Sequence, residues 1–383
     1  MSKYEVQEAL KKELGRDYYK IKPEGILEVL GAASMKTVVL VELVDGRKVV
    51  AMVQDPYIYD QVMTNLKLSD SFITALEEQG VSPDSDLFKL LIKGMREQIV
   101  IEMQMKIEAE MFQKMNELTN EINIKYGASL LDGWKVSAPR LIGDFEPSDS
   151  VLFVELASGV NIDDLVDDHP DEAKSAGEAI VLANLIMLFE YGYFDGDRHK
   201  GNHLIDIIDK VINFIDPGQL WKLNKGNYFQ WDDRLTIARF MQAIVEKNSL
   251  EIISMSENMM DEKNPSVDKN KLKTEIDDLF VEIDFTTNSD EFFTELVKKL
   301  NSGGIEFNTK YLFGVLKGLL ILAGENYVSI ERFSELLNGF ISDLYKKKPV
   351  IYPKLFVEEV LGRKNKTVSE GTKKPNSCDN IYK

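Results

Sequence analysis

The chain has 383 residues, 44% hydrophobic and 29% charged, a globular balance sufficient for one two-lobed domain or two smaller ones. Its single cysteine, Cys378, excludes an internal disulfide and fits a reducing cytoplasm, bacterial or host. A formal charge of -18 repels a phosphate backbone, so no nucleic-acid partner is expected, and the acidity reads as solubility.

Residues 1–30 read as a charged, helical lead-in with no apolar core before a cleavage site, so no secretory signal is expected there. Two β-branched runs, 37–44 and 48–54, flank Asp45 and Gly46, a strong hairpin signal. A helix is expected over 57–80 and a long one over 86–126. Its stripe of Ile92, Met95, Ile99, Met103, Ile107, Met111, Met115 and Leu118 recurs every three or four residues and reads as core packing. Residues 134–156 read as turn, strand, turn and strand, the last strand being 151–156.

From 157 onward the pattern turns helical. A helix over 172–191 stops at Gly192, and short apolar strands flank the segment 195–216. Further helices are expected over 232–259, 268–281, 289–301, 309–323 and 329–346, with 254–271 partly a surface loop. Residues 364–383 offer almost nothing to bury and read as a disordered tail. The longest apolar stretches, 180–189 and 311–323, are shorter than the roughly 20 residues a bilayer crossing needs, so no transmembrane segment is expected.

The informative segment runs from Asp197 to Asn202 and on to Asp216, Pro217 and Gly218. Phosphoryl transfer asks for a carboxylate near the attacking oxygen and hard oxygen ligands that hold magnesium on the phosphates. Asp197 suits the first task, and Asn202 and Asp216 suit the second. Each residue alone is also an ordinary turn former. Together with Gly201, the flanking apolar strands and the preceding helix they point to a kinase, without choosing between protein and small-molecule acceptors.

Over roughly residues 24 to 255 the chain resembles the UbiB family of atypical kinases. Gly31, Ala32, Ala33 and Ser34, followed by Lys36, are similar to that family's alanine-rich nucleotide loop. The run from Val50 through Ala51 and Met52 to Pro56 resembles its Val-Ala-Val-Lys strand. Glu102, Gln104, Glu108 and Ala109 resemble its helix motif, Glu155 and Leu156 its hinge, and Phe194 to Asn202 its catalytic loop.

The resemblance implies an α+β, bilobal protein-kinase-like fold: a β-containing N-lobe with a long helix over 1–156 and a helical C-lobe over 157–363. It implies ATP and Mg2+ as cofactors, with the nucleotide held by Ala32, Ala33, Ser34, Lys36, Ala51, Glu108, Glu155 and Leu156. Asp197 would be the catalytic carboxylate, and Asn202 and Asp216 the metal ligands.

Four departures from the family bear directly on the chemistry. Met52 stands where the strand lysine belongs, Gln104 replaces an aspartate, Asp195 the first histidine of the catalytic loop, and Pro217 a phenylalanine. No counterpart of the family's N-terminal Lys-x-Gly-Gln helix is visible, which leaves the substrate class open. A thioether cannot neutralise phosphate, but Lys36 on the preceding strand is placed like the displaced lysine of the With-No-Lysine kinases. It would then pair with Glu108 and serve in catalysis, the alternative being a solvated strand residue.

His199 reads as a structural histidine of the catalytic loop. His169 and His203 lack metal-ligand spacing, Cys378 reads as inert, and Lys346 to Lys348 as a solvated helix end. An ATP-dependent phosphotransferase or ATPase with an unknown acceptor is the leading expectation, and nucleotidyl transfer from ATP a variant of it. A pseudokinase scaffold is the rival.

Overall fold

The computed structural model describes residues 1–32, 36–55, 57, 61, 62, 64, 104–127, 131–196, 198–222, 231–260, 267–305, 318, 319, 322–325 and 327–351. The expectations for most of 57–80, for 86–103, for most of 309–323 and for the tail over 364–383 lie outside the described residues, as do Ala33, Ser34 and Asp197.

Helix α1, Lys3–Leu14, starts at a capping box in which Ser2 and Glu5 satisfy each other's backbone N–H groups. It buries Val6 and Leu10. The helical lead-in expected over 1–30 ends there, because Ile21–Ala32 forms an edge strand, β1. Its alternation is hidden by register shifts against its neighbour and by Pro23, which an edge tolerates. Strands β2, Lys36–Leu43, and β3, Lys48–Gln54, form the expected hairpin, with Gly46 at φ 88° in the turn.

Strand β3 is buried on both faces. Val49, Ala51 and Val53 pack with Val6 and Leu10 of α1 and with Phe145 and Phe153, whereas Val50 and Met52 pack on the opposite face. That second face is covered by helix α2, Met105–Tyr126, through Met105, Ala109 and Phe112. The helix expected over 86–126 therefore has a start at Met105. Gln104 is extended (φ -116°, ψ 93°), and the Met105 N–H is taken by the Asp149 carbonyl at 3.3 Å. An apolar stripe reports a face, not where a helix starts, so the extended Gln104 left no mark on the periodicity.

After β4, Lys135–Ser137, strand β5, Val151–Glu155, completes an antiparallel sheet of order β1-β2-β3-β5. Helix α3, Pro170–Ile186, begins with proline in its first turn and widens into a π turn over Met187–Tyr191. Gly192, at φ 70°, stops it. Strands β6, Tyr193–Asp195, β7, His203–Asp206, β8, Val211–Phe214, and β9, Leu220–Lys222, follow. β7 and β8 form a hairpin, β8 also pairs with β4, and β6 pairs with β9.

The single helix expected over 232–259 is two, α4, Trp231–Val245, and α5, Ser249–Asn258. Lys247 turns to φ 53°, and the Asn248 side chain caps α5 by accepting the Glu251 N–H. Helices α6, Lys269–Glu282, α7, Ser289–Ser302, and α8, Ile330–Ile351, follow. The loop expected over 254–271 is thus helical at both ends. Phe240, Met241, Ile276, Phe292 and Phe333 join α2 and α3 residues in one large core.

Candidate functional site

Lys36 opens β2, directly after the segment that resembles the family's alanine-rich loop. The register pairs Lys36 with Gln54 and Val38 with Met52. Cross-strand partners share a face of a pleated sheet, as do residues two apart. Lys36, Val38, Met52 and Gln54 therefore point toward α2, whose first turn carries Glu108. The Lys36 Nζ lies 2.5 Å from Glu108 Oε1 and 3.3 Å from Asp216 Oδ1. Met52 is buried among Val50, Phe112, Leu152 and Val154, so an apolar side chain fills the slot and the cation arrives from the neighbouring strand.

Burial works against the Lys36 charge, but Glu108 and then Asp216 outweigh it and raise the ammonium pKa above the ordinary lysine value. The lysine stays charged at neutral pH. Its side chain is 14% exposed and that of Glu108 6%, whereas Asp216 is open at 38%. Only the aspartate faces solvent appreciably.

The β7–β8 hairpin brings Asn202 beside Asp216. Its ladder pairs His203 with Phe214, and the Ile215 N–H then donates to the Asn202 carbonyl at 3.1 Å. The Asn202 N–H donates to the His199 carbonyl at 3.0 Å, and Asn202 is buried. Asp216 Oδ1 also accepts from the Gly218 N–H at 3.3 Å. An amide oxygen and a carboxylate on adjacent strand ends are hard donors of the kind magnesium accepts alongside water and phosphate. These residues fit the ion.

Ala32 ends β1 and pairs with Thr37, the residue after Lys36, whereas Gly31 pairs with Val38. Ala51 is not brought to this group. It is fully buried on the α1 face of the sheet, one residue out of phase with Met52, and Val50 is the neighbour that shares the site's face. Glu155 ends β5, with its carboxylate held by Arg140 at 2.8 Å, and Leu156 is half-exposed beside it. The Glu155 N–H also donates to the Arg140 carbonyl at 2.9 Å, so Arg140 engages both its side chain and its main-chain donor.

Two features were missed from the sequence. Asp195 and Arg198 form a fully buried ion pair at 2.9 Å. Arg198 stands where the family's catalytic loop has proline, and that substitution beside Asp195 was the available signal. His203, also buried, shares a 3.0 Å hydrogen bond between its Nδ1 and the Tyr327 hydroxyl, and burial pushes its pKa well down. No local pattern links residues that far apart in sequence.

A sheet lysine shared by a helix glutamate and a strand-end aspartate, with a buried asparagine on the adjoining strand end, is the arrangement of a kinase-like protein. The model of the ABC1 atypical kinase-like domain matches residues 1–256, and the chain belongs to that family, the UbiB family of atypical kinases. AarF domain-containing protein kinase 1 of Xenopus tropicalis is 24% identical over 203 residues, 52% of this chain and 36% of that protein. The probable serine/threonine-protein kinase abkA of Dictyostelium discoideum is 23% identical over 192 residues, 49% of this chain and 33% of that protein. The chain spans less than half the length of the curated relatives it matches.

Among solved structures, Rv3197 of Mycobacterium tuberculosis, in complex with erythromycin, aligns with TM-score 0.53 at 17% identity. The alignment covers 89% of this chain and 84% of that one. The likeness shows the fold, a bilobal, protein-kinase-like α+β architecture. Among the described residues, no helix is long and apolar enough to cross a membrane.

Proposed function

We propose that the chain is an ATP- and magnesium-dependent phosphotransferase or ATPase, with its nucleotide between the sheet and the β7–β8 hairpin. The observation that carries this reading is the position of Lys36, whose Nζ lies 2.5 Å from Glu108 and 3.3 Å from Asp216. A cation so placed meets a phosphate next to a magnesium ligand, the electrostatic requirement of phosphoryl transfer.

In this reading Lys36 binds the phosphates, with Glu108 fixing its direction. Asn202 and Asp216 hold magnesium, which supplies charge neutralisation on the phosphate oxygens. Ala32, Ala33 and Ser34 cover the phosphates, and the main chain at Glu155 and Leu156 takes the adenine edge. Asp197 orients an acceptor hydroxyl, or a water for hydrolysis, and receives its proton. The kinase names of the relatives agree with this assignment but do not identify an acceptor.

A pseudokinase scaffold is the second reading. It is favoured by Met52, which fills the usual lysine slot with a thioether, and by Gln104 and Pro217. Incubation with γ-labelled and α-labelled ATP separates the cases. Transfer or release of the γ label supports phosphotransfer or hydrolysis, transfer of the α label means nucleotidyl transfer, and no turnover despite bound nucleotide means a scaffold.

A further inference from the structure

Asp195 and Arg198 lie on either side of position 197, and their side chains form an ion pair at 2.9 Å with no exposed surface on either. Removing two charges from water is costly, and such pairs are often no more stabilising than a well-packed apolar replacement. Stability alone therefore gives little reason for this pair, whereas the contacts of Arg198 suggest another.

The Arg198 guanidinium lies 4.6 Å from the Phe214 ring centroid, and its Nη2 lies 3.8 Å from Met115 Sδ. Phe214 ends β8, two residues before Asp216. Met115 lies on α2 roughly two turns after Glu108, hence on nearly the same face of that helix. Asp195 pairs with Leu220 of β9, just beyond Gly218, and the Gly196 N–H donates to the Gln219 carbonyl at 3.1 Å. One planar cation thus touches α2, which carries Glu108, and the end of β8, from which the chain runs on to Asp216, and its counter-ion is pinned to a third strand.

We propose that Arg198 is a positioning residue that couples α2 to the loop 198–202 and to β8, so that Glu108 and Asp216 are set together. Its flat face suits the Phe214 ring, and a single nitrogen, Nη2, meets both the Asp195 carboxylate and the Met115 sulfur. A lysine would keep the charge but lose the plane. The proposal that this coupling serves catalysis rests on the phosphotransferase reading above, and the coupling itself can be measured without turnover.

The test compares amide hydrogen exchange, ATP binding and turnover in the wild type, Arg198→Met, Arg198→Lys and the double variant Asp195→Asn with Arg198→Met. Loss of coupling in Arg198→Met should speed exchange over 111–119 of α2 and over 211–216 roughly tenfold, leaving β2 near the wild-type rate. Turnover should fall about tenfold or more with the KM for ATP changed less than about threefold. Arg198→Lys should lie between.

The double variant leaves no lone buried charge, so it should regain the melting temperature lost by Arg198→Met while exchange and turnover stay impaired. If turnover returns with stability, the pair is only structural and the proposal is overturned. Unchanged exchange over 111–119 in Arg198→Met overturns it as well. If Arg198→Met does not fold, Arg198→Lys and the double variant carry the same comparison. A wild type that neither binds nor hydrolyses ATP removes the phosphotransfer reading, and the exchange rates then decide the coupling by themselves.

Discussion

Lys36 and Asp216 stand 180 residues apart in sequence and 3.3 Å apart in space, the lysine at the start of β2 and the aspartate after β8. Glu108 holds the same ammonium from the other side. A phosphate placed between them would take over the cation and leave Asp216 to a metal. Nucleotide and magnesium would then bind as one event, with Lys36 moving from a carboxylate to the phosphates.

Magnesium with ATP should therefore raise the melting temperature more than either alone, since a ligand held only by the native state stabilises it. Asp216→Asn keeps the size of the side chain but removes the anion. It should abolish most of the magnesium-dependent part of that rise, measured by thermal shift across a magnesium titration. An unaltered rise would reduce Asp216 to a turn residue that neighbours a lysine.

Asp197→Ala should lower turnover by roughly two orders of magnitude or more and leave the Kd for ATP nearly unchanged. A carboxylate that meets only the acceptor contributes to the transition state and little to nucleotide affinity. Single-turnover assays beside calorimetric binding separate the two. Comparable turnover in the variant would remove Asp197 from the mechanism.

His203 gives a prediction for pH. Its folded pKa lies well below the ordinary value because burial disfavours the imidazolium. Below about pH 6.5 the unfolded chain binds a proton there that the folded chain refuses, so stability falls with falling pH. The slope from this one group reaches about 1.4 kcal/mol per pH unit. His203→Asn, which can keep a partner for the Tyr327 hydroxyl, should flatten that part of the curve between about pH 6.5 and 5. Parallel wild-type and variant curves in urea melts would contradict this.

The hairpin was legible because β-branched runs flank Asp45 and Gly46, and local propensity and turn chemistry agree there. β1 was not, since Pro23 and the register shifts erase its alternation and only pairing with β2 makes it a strand. The motifs that carry the kinase resemblance lie in local sequence, so the family could be read from them. The face on which Ala51 lies is set by the ladder, and an alanine in a matching motif does not reveal it. The family resemblance marked Asp195 as a departure in the catalytic loop. It did not show that Arg198 would fold back onto it, because a buried pair depends on what α2 and β8 bring from elsewhere.

The exchange of Lys36 and Met52 tests the lysine's role directly. Lys36→Met should abolish turnover and weaken ATP binding by about 1.5–3 kcal/mol, the range of a charge-assisted contact. That is roughly a 10- to 150-fold rise in Kd. Met52→Lys alone should gain little, because its ammonium would enter an apolar cluster with Phe112 and Leu152 and compete with Lys36 for Glu108. In the double variant Lys36 no longer competes with the new lysine for Glu108. Val38 pairs directly with Met52, and Lys36 lies two residues before Val38 on the same face, so both positions look toward α2. The double variant should therefore recover part of the lost affinity, read by calorimetry at fixed magnesium. A scaffold that does not use Lys36 predicts the reverse: Lys36→Met is silent, and an ATP response appears only with Met52→Lys. A silent Lys36→Met in a chain shown to turn over ATP would refute the displaced-lysine assignment while leaving the kinase-like fold intact.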